Sequence, residues 1–143
     1  MFDVINNPTI KQYYNFSTDL DIAKVASSKG HYVSYFSPRE LDLVGAKLAI
    51  TPCGLAGFAV TKTGKLIALF KHPKFKEKNV LARMLPLAKL MGARELECFD
   101  GYLATQYKLG GFREVSRSSW NDEYAPADWP ETAQKPDYLT MRV

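Results

Sequence analysis

Lysines crowd the segment FKHPKFKEKNVL, residues 70–81, which follows an apolar run and opens a stretch with helical spacing. The first backbone N–H groups of a helix have no intrahelical partner, and together with the helix dipole they bind anions such as phosphate. Glycines, which are common where a backbone wraps a phosphate, are absent from this segment. The segment therefore predicts an electropositive anion site of unusual composition, with a plain basic surface turn as the alternative.

Charge is distributed unevenly along a chain whose net charge is only +4. Residues 62–89 carry eight Lys and Arg residues against Glu77 alone, and residues 114–137 carry six Asp and Glu residues against Arg117 and Lys135. The first region is expected to attract anions and the second to receive a cationic partner. Each charge taken singly is equally typical of a solvated face.

Length and composition are typical of one soluble domain over residues 1–143, since 46% of the residues are hydrophobic and 24% are charged. No apolar run approaches the ~20 residues that span a bilayer, and the polar termini argue against a signal peptide, so no membrane contact is expected. Cys53 and Cys98 have no metal-ligand spacing, and neither His31 nor His72 has a partner for a metal site or a triad. We therefore expect no metal, and reduced, partly buried thiols favour the cytoplasm.

The first third of the chain supplies fewer candidate residues and is interpreted mainly as scaffold. Helical spacing over residues 7–30 predicts a helix that ends at Gly30. The β-branched and aromatic residues of HYVSYFS, residues 31–37, predict a short strand. Ser37 and Pro38 have the residue types of a helix cap and a first helical position.

The rest of the chain alternates strands and helices. Strands are predicted over residues 47–52, 55–60 and 65–70, and Gly64 makes the last two an antiparallel hairpin. A helix is predicted from Asn79, with a buried side formed by Val80, Met84, Leu87, Leu90 and Met91. The remaining predictions are a strand over 94–99, a helix over 101–111 and strands over 112–117 and 138–143. Because the helix after residue 79 is a crossover, strands 65–70 and 94–99 are predicted to be parallel.

Two stretches in this order resemble motifs of the GNAT superfamily of acyl-CoA-dependent N-acyltransferases. FKHPKFKEKNVL is similar to the family's VHPEYRGKGIG segment, with His72-Pro73, Phe75, Lys76 and Lys78 in register. The likeness is clearest over residues 47–143. It implies a single α/β (α+β) domain whose mixed, mostly antiparallel sheet is flanked by helices, and whose strands 65–70 and 94–99 splay apart at one end.

The second stretch, DGYLATQYKLGGF, is similar to the family's N-x-x-A-x-x-L-Y-x-x-x-G-F. Asp100 takes the Asn position, Tyr107 the Tyr position and Gly111-Phe112 the Gly-Phe position. The resemblance implies that Tyr107 protonates the departing CoA thiolate, although an aromatic that packs on the sheet is the alternative. Cys98, on the preceding strand, is interpreted as a core residue rather than a nucleophile.

The resemblance also implies the residues that bind acetyl-CoA. The pyrophosphate is expected on the amides of Asn79, Val80 and Leu81, with charge from Lys76 and Lys78. Asp100 is a further cofactor-binding candidate, and a backbone amide of Leu69 or Phe70 is expected to polarise the thioester carbonyl.

Two positions depart from the family pattern, because Asn79 and Leu81 stand where small residues, usually Gly, are expected. Asn tolerates a left-handed backbone better than other non-glycine residues. The branched side chain of Leu81 is expected to crowd the phosphates, so binding of CoA is the weakest part of the expectation.

An acceptor amine must lose a proton, and the loop SSWNDEYAPADW offers Asp122 and Glu123 either as a base or as an attraction for a cationic amine. Trp120, Tyr124 and Trp129 are expected to form an apolar wall, with a plain surface loop as the alternative.

The predicted function is transfer of an acetyl or acyl group from acyl-CoA to an amine-bearing protein or small molecule. The alternatives are a non-catalytic GNAT-like binding module of phage or mobile-element origin, and a nucleic-acid-directed protein that uses the lysines of residues 62–89.

Overall fold

The computed structural model describes all residues from 1 to 143 as seven strands, four α-helices and two short 3₁₀ turns. In chain order the strands and helices are β1 (Asp3–Ile5), α1 (Ile10–Ala26), α2 (Pro38–Leu43), β2 (Lys47–Ile50), β3 (Ala56–Val60), β4 (Lys65–Lys71), α3 (Val80–Leu90), β5 (Glu95–Phe99), α4 (Tyr102–Leu109), β6 (Arg113–Ser118) and β7 (Tyr138–Arg142). The 3₁₀ turns are Gly30–Tyr32 and Asp122–Tyr124. None of the helices is both long enough and apolar enough to cross a bilayer.

The seven strands form one sheet in the order β1-β2-β3-β4-β5-β7-β6. Only β4 and β5 are parallel, and every other neighbouring pair is antiparallel. Helix α3 connects the parallel pair, because parallel neighbours require a crossover. The predicted mixed, mostly antiparallel α/β architecture is confirmed.

Strands β4 and β5 separate soon after they begin. They pair only at Lys65 with Glu95 and at Leu66 with Leu96. Further along β4, Ala68 has a φ of 53°, and the register with β3 shifts between Gly57 and Ala59. A bulge of this kind bends a strand away from its neighbour. The predicted splay of the parallel pair is therefore confirmed.

Apolar residues cover both faces of the sheet. The larger cluster lies under α3 and α4, and the smaller cluster lies under α1 and α2. Strand β4 supplies Leu66 and Leu69 to the larger cluster and Ala68 and Phe70 to the smaller one. Its unbroken apolar run thus reflects burial on both sides.

Turn and cap residues predicted from the local sequence lie where they were expected. Gly64 has a φ of 92° in the β3–β4 hairpin, and Ser37 caps α2 with Pro38 in the first turn. Helix α1 is shorter than predicted: it begins after a Thr9 cap and ends at Ala26. Pro86 lies inside α3 without ending the helix.

Three predictions about local structure are wrong, and one strand was missed. Residues 31–37 form no strand, because their aromatic rings pack against other side chains and their backbone follows the 3₁₀ turn Gly30–Tyr32. Strand β1, which pairs only with β2, was not predicted. Leu90 is exposed, and Leu85 is the residue that α3 buries instead. Cys53 is exposed, whereas Cys98 is buried as predicted.

Candidate active site

The N-terminus of α3 presents free backbone donors. Asn79 caps the helix in the left-handed conformation, with φ 57° and ψ 28°, and its side chain forms no cap hydrogen bond. The N–H groups of Val80, Leu81 and Ala82 have no backbone acceptor. Free amides at a helix start form an anion-binding site. Asn79 therefore adopts the geometry for which glycine is the usual residue.

A turn built on His72 leads into this helix start. His72 is buried, and its imidazole Nδ1 accepts a hydrogen bond from the Lys74 N–H at 3.0 Å. The backbone carbonyl of His72 accepts a second one from the Phe75 N–H at 2.9 Å. The His72 N–H donates to the Leu55 carbonyl. His72 is thus a structural residue of the turn.

Two lysine side chains of this turn have no acidic partner. Lys76 and Lys78 are exposed and form no ion pair, while Glu77 binds Arg83 at 2.8 Å. Leu81 is half-buried and packs against the larger core cluster. Its side chain therefore contacts the core.

A cavity of about 110 Å³ occupies the opening between β4 and β5. Leu69, Cys98 and Tyr107 are among the residues that line it. Burial raises the pKa of Tyr107 above its ordinary value, so the phenol is protonated throughout the neutral range. Burial also raises the pKa of Cys98 to about 12, and its Sγ lies 3.9 Å from Met141 Sδ. A thiol of this kind is not a nucleophile at neutral pH.

A larger cavity of about 460 Å³ adjoins the first. Its wall is formed by the C-terminal end of α1, residues 27–33, the end of β4 and the start of α4. Lys24 holds this wall together, because its Nζ donates to the carbonyls of Gly30 and Val33 and lies 3.1 Å from the Asp128 carboxylate. One side chain thereby connects α1, the 3₁₀ turn and the loop between β6 and β7.

Several solved acetyltransferases are similar to this chain in structure, among them one described as a member of the GNAT family. An acetyltransferase of the GNAT family from Streptococcus pneumoniae superposes with a TM-score of 0.59 at 10% identity, over 99% of this chain and 97% of that one. The ribosomal-protein-alanine N-acetyltransferase from Brucella melitensis gives 0.59 at 11%, over 100% and 98%. A Bacillus subtilis acetyltransferase in complex with CoA gives 0.56 at 15%, over 98% and 95%. The chain has the GNAT fold.

Comparisons of sequence find no such relationship, since no family model and no curated protein matches the chain. The likeness is therefore one of fold.

Asp100 lies at the start of the α4 segment, but its carboxylate faces β6. Arg117 binds Asp100 at 3.0 Å, Asp137 at 2.9 Å and Glu114 at 2.8 Å. The hydrogen bonds to these carboxylates raise the pKa of Arg117. Asp100 thus takes part in a surface ion network that joins α4 to the last two strands.

Asp122 and Glu123 lie on the second 3₁₀ turn, and neither lines the two cavities. Asp122 accepts from Trp120 Nε1 at 2.8 Å and from Lys135 Nζ at 3.2 Å, and these bonds lower its pKa. An anion stabilised in this way is a poor proton acceptor. Glu123 is exposed.

An aromatic cluster packs around Phe99, the last residue of β5. The ring centroids of Trp120 and Trp129 are 4.9 Å apart, and Trp129 lies 4.7 Å from Phe99 and 5.0 Å from Tyr32. Tyr124, predicted in this wall, is exposed instead. Tyr32 and Phe99 are not predicted for this cluster, because Tyr32 has the residue type of a strand and Phe99 ends the strand predicted over 94–99.

Proposed function

We propose that the protein transfers an acyl group from acyl-CoA to an amine. The observation that carries the proposal is the left-handed Asn79 with the free amides of Val80, Leu81 and Ala82, at the start of the helix that connects the splayed strands β4 and β5. These amides, with Lys76 and Lys78, suit a pyrophosphate. The CoA complex of the Bacillus subtilis neighbour gives the same ligand independent support.

In the proposed reaction the neutral amine attacks the thioester carbonyl, and a backbone N–H of Leu69 or Phe70 stabilises the oxyanion that forms. The C–S bond then breaks, and the electron pair leaves with sulfur. Tyr107 lines the cavity between β4 and β5 and keeps its proton at neutral pH, and we assign it as the donor that protonates the departing thiolate. The proton of the amine leaves to water, since Asp122 and Glu123 lie outside the cavity.

The test is binding of acetyl-CoA, followed by turnover. At a concentration of 100 times its dissociation constant, a ligand stabilises the folded state by about 2.7 kcal/mol. For a chain of this size, that corresponds to a rise in melting temperature of roughly 10 °C. No change in melting temperature at millimolar acetyl-CoA would contradict the proposal.

Tyr107→Phe is the matched variant for the chemical step. It keeps the ring that packs at 6.3 Å from Phe112 and removes only the hydroxyl. We expect unchanged affinity for acetyl-CoA and a release of CoA thiol that is slower by about 100-fold or more, the usual effect of losing a general acid. An unchanged rate of CoA thiol release would show that Tyr107 is only a packing residue.

A second candidate function is a binding module that has the GNAT fold without the reaction. The observation in its favour is that neither cavity is lined by any residue of the turn 72–79 or of the first turn of α3. This candidate predicts a stable protein that acetyl-CoA does not stabilise.

A further inference from the structure

The cavity of about 460 Å³ beside the splayed strands has an unusual wall. Its volume lies within the range of small-molecule sites, and most of its lining residues are hydrophobic. The charged residues in the wall are all lysines: Lys24, Lys29 and Lys71. No carboxylate lines the cavity.

The three lysines differ in how their charge is balanced. Lys24 is balanced by Asp128 and by two carbonyls. Lys29 and Lys71 form no ion pair anywhere in the chain. The Lys29 ammonium lies 5.8 Å from the centroid of the Tyr32 ring, which places it on the cavity wall. Lys29 and Lys71 are both exposed, so two uncompensated positive charges stand at the rim of an apolar surface, where they favour an anion over a cation.

The same cavity continues toward the proposed reaction centre. Tyr32, Val33, Leu69 and Leu103 line both cavities, and the smaller one also contains Tyr107. A ligand held at the lysines can thus extend an amine toward the opening between β4 and β5.

We propose that the acceptor is a small amine that also carries an acidic group, a carboxylate or a phosphate, and an apolar portion. The acidic group binds Lys29 and Lys71, the apolar portion packs on Tyr32 and Leu103, and the amine points toward Leu69. This assignment rests on the proposed acyl transfer. It reverses the expectation of a cationic acceptor, because Asp122 is paired with Lys135 and lies outside both cavities.

Polyamines and other multiply charged cations are excluded by the same charges. A second ammonium in this cavity would face two lysines with no carboxylate to balance it. The preference between acid-bearing and purely cationic amines is therefore the measurable signature of the site.

The experiment compares matched ligand pairs by calorimetry at saturating CoA. L-phenylalanine is compared with phenethylamine, which lacks only the carboxylate, and 2-aminoethyl phosphate is compared with ethanolamine. Spermidine is the polycation. We expect at least one acid-bearing member to bind about tenfold or more tightly than its partner, and spermidine not to bind. The two pairs distinguish a carboxylate from a phosphate.

Lys29→Gln and Lys71→Gln should each weaken binding of the acid-bearing ligand about five- to tenfold and leave the binding of CoA unchanged. Lys11→Gln is the control, since Lys11 is an exposed lysine of α1 that lines neither cavity.

The outcomes separate this inference from the proposed function. Binding of CoA with equal or tighter binding of the plain amines, or with no binding of either pair, would overturn the inference alone. Loss of acid-ligand binding as CoA is added would show that the lysines bind CoA itself, which would also overturn it. Binding of an acid-bearing ligand by a protein that does not bind CoA would overturn the proposed acyl transfer, and with it the assignment of the ligand as an acceptor.

Discussion

Replacement of Leu81 by Ala tests how the first turn of α3 meets an anion. Leu81 is half-buried and packs on the larger core cluster. A fully buried Leu→Ala change costs ~2–5 kcal/mol, and Leu81 keeps only a minor part of its surface exposed, so its replacement should cost about 2–3 kcal/mol, toward the lower end of that range. For a chain of this length, the melting temperature should then fall by roughly 6–12 °C. Because the side chain contacts the core, we expect no gain in affinity for CoA.

Leu85→Ala is the matched control on the same helix. Leu85 is only 2% exposed and belongs to the same cluster. Its replacement should cost the full ~2–5 kcal/mol and should likewise leave affinity unchanged. Thermal unfolding gives the stability, and titration calorimetry with CoA gives the affinity of each variant.

A different result for Leu81→Ala would refute this reasoning. Tighter binding of CoA with an unchanged melting temperature would mean that the Leu81 side chain stands in the pyrophosphate position. The natural protein would then have an obstructed site, as the sequence suggested, and the contact with the core would be incidental.

Three other changes test the remaining parts of the site. Replacing Lys76 and Lys78 together by Glu should weaken CoA binding several-fold in calorimetry, more at low salt than at high salt, without lowering the melting temperature. An unchanged affinity for CoA would show that these lysines belong only to a solvated surface. Lys24→Met should lower the free energy of unfolding by about 1–3 kcal/mol in denaturant titration, because it leaves two carbonyls and the Asp128 carboxylate without their partner. An unchanged free energy of unfolding would contradict the idea that Lys24 joins the three segments. Burial raises the pKa of Cys98 from 9.0 to about 12, so the unfolded state loses this proton first and the free energy of unfolding falls as pH rises from about 9 toward 12. Cys98→Ala should reduce the slope of the free energy of unfolding against pH by up to about 1.4 kcal/mol per pH unit, and equal slopes for the two proteins would contradict the assignment.

Features with a local cause could be predicted from the sequence. Gly64 adopts the positive φ that a tight turn requires, and the Ser37 cap needs only its own neighbours. The parallel pair followed from the length of the connection between β4 and β5. Even the left-handed backbone of Asn79 could be anticipated, because few residue types other than glycine tolerate it.

Features with a distant cause could not be predicted. Tyr32 has the residue type of a strand, yet it packs on Trp129, a residue far away in the chain. Asp122 has the composition of a base, yet Lys135 binds it. The lysines of the larger cavity come from α1, its following turn and β4, and no spacing in the sequence brings those three segments together.

The aromatic cluster also determines what the optical properties of this protein report. Trp120 and Trp129 are the two tryptophans of the chain, and their rings are in contact beside Phe99 and Tyr32. Intrinsic fluorescence therefore observes the docking of one loop rather than the whole sheet. If that loop undocks before the core unfolds, the fluorescence transition will precede the loss of secondary structure seen by far-ultraviolet circular dichroism. The same coupled pair gives a near-ultraviolet signal that should change whenever a ligand moves Tyr32, so the chain carries a built-in reporter of its own cavity.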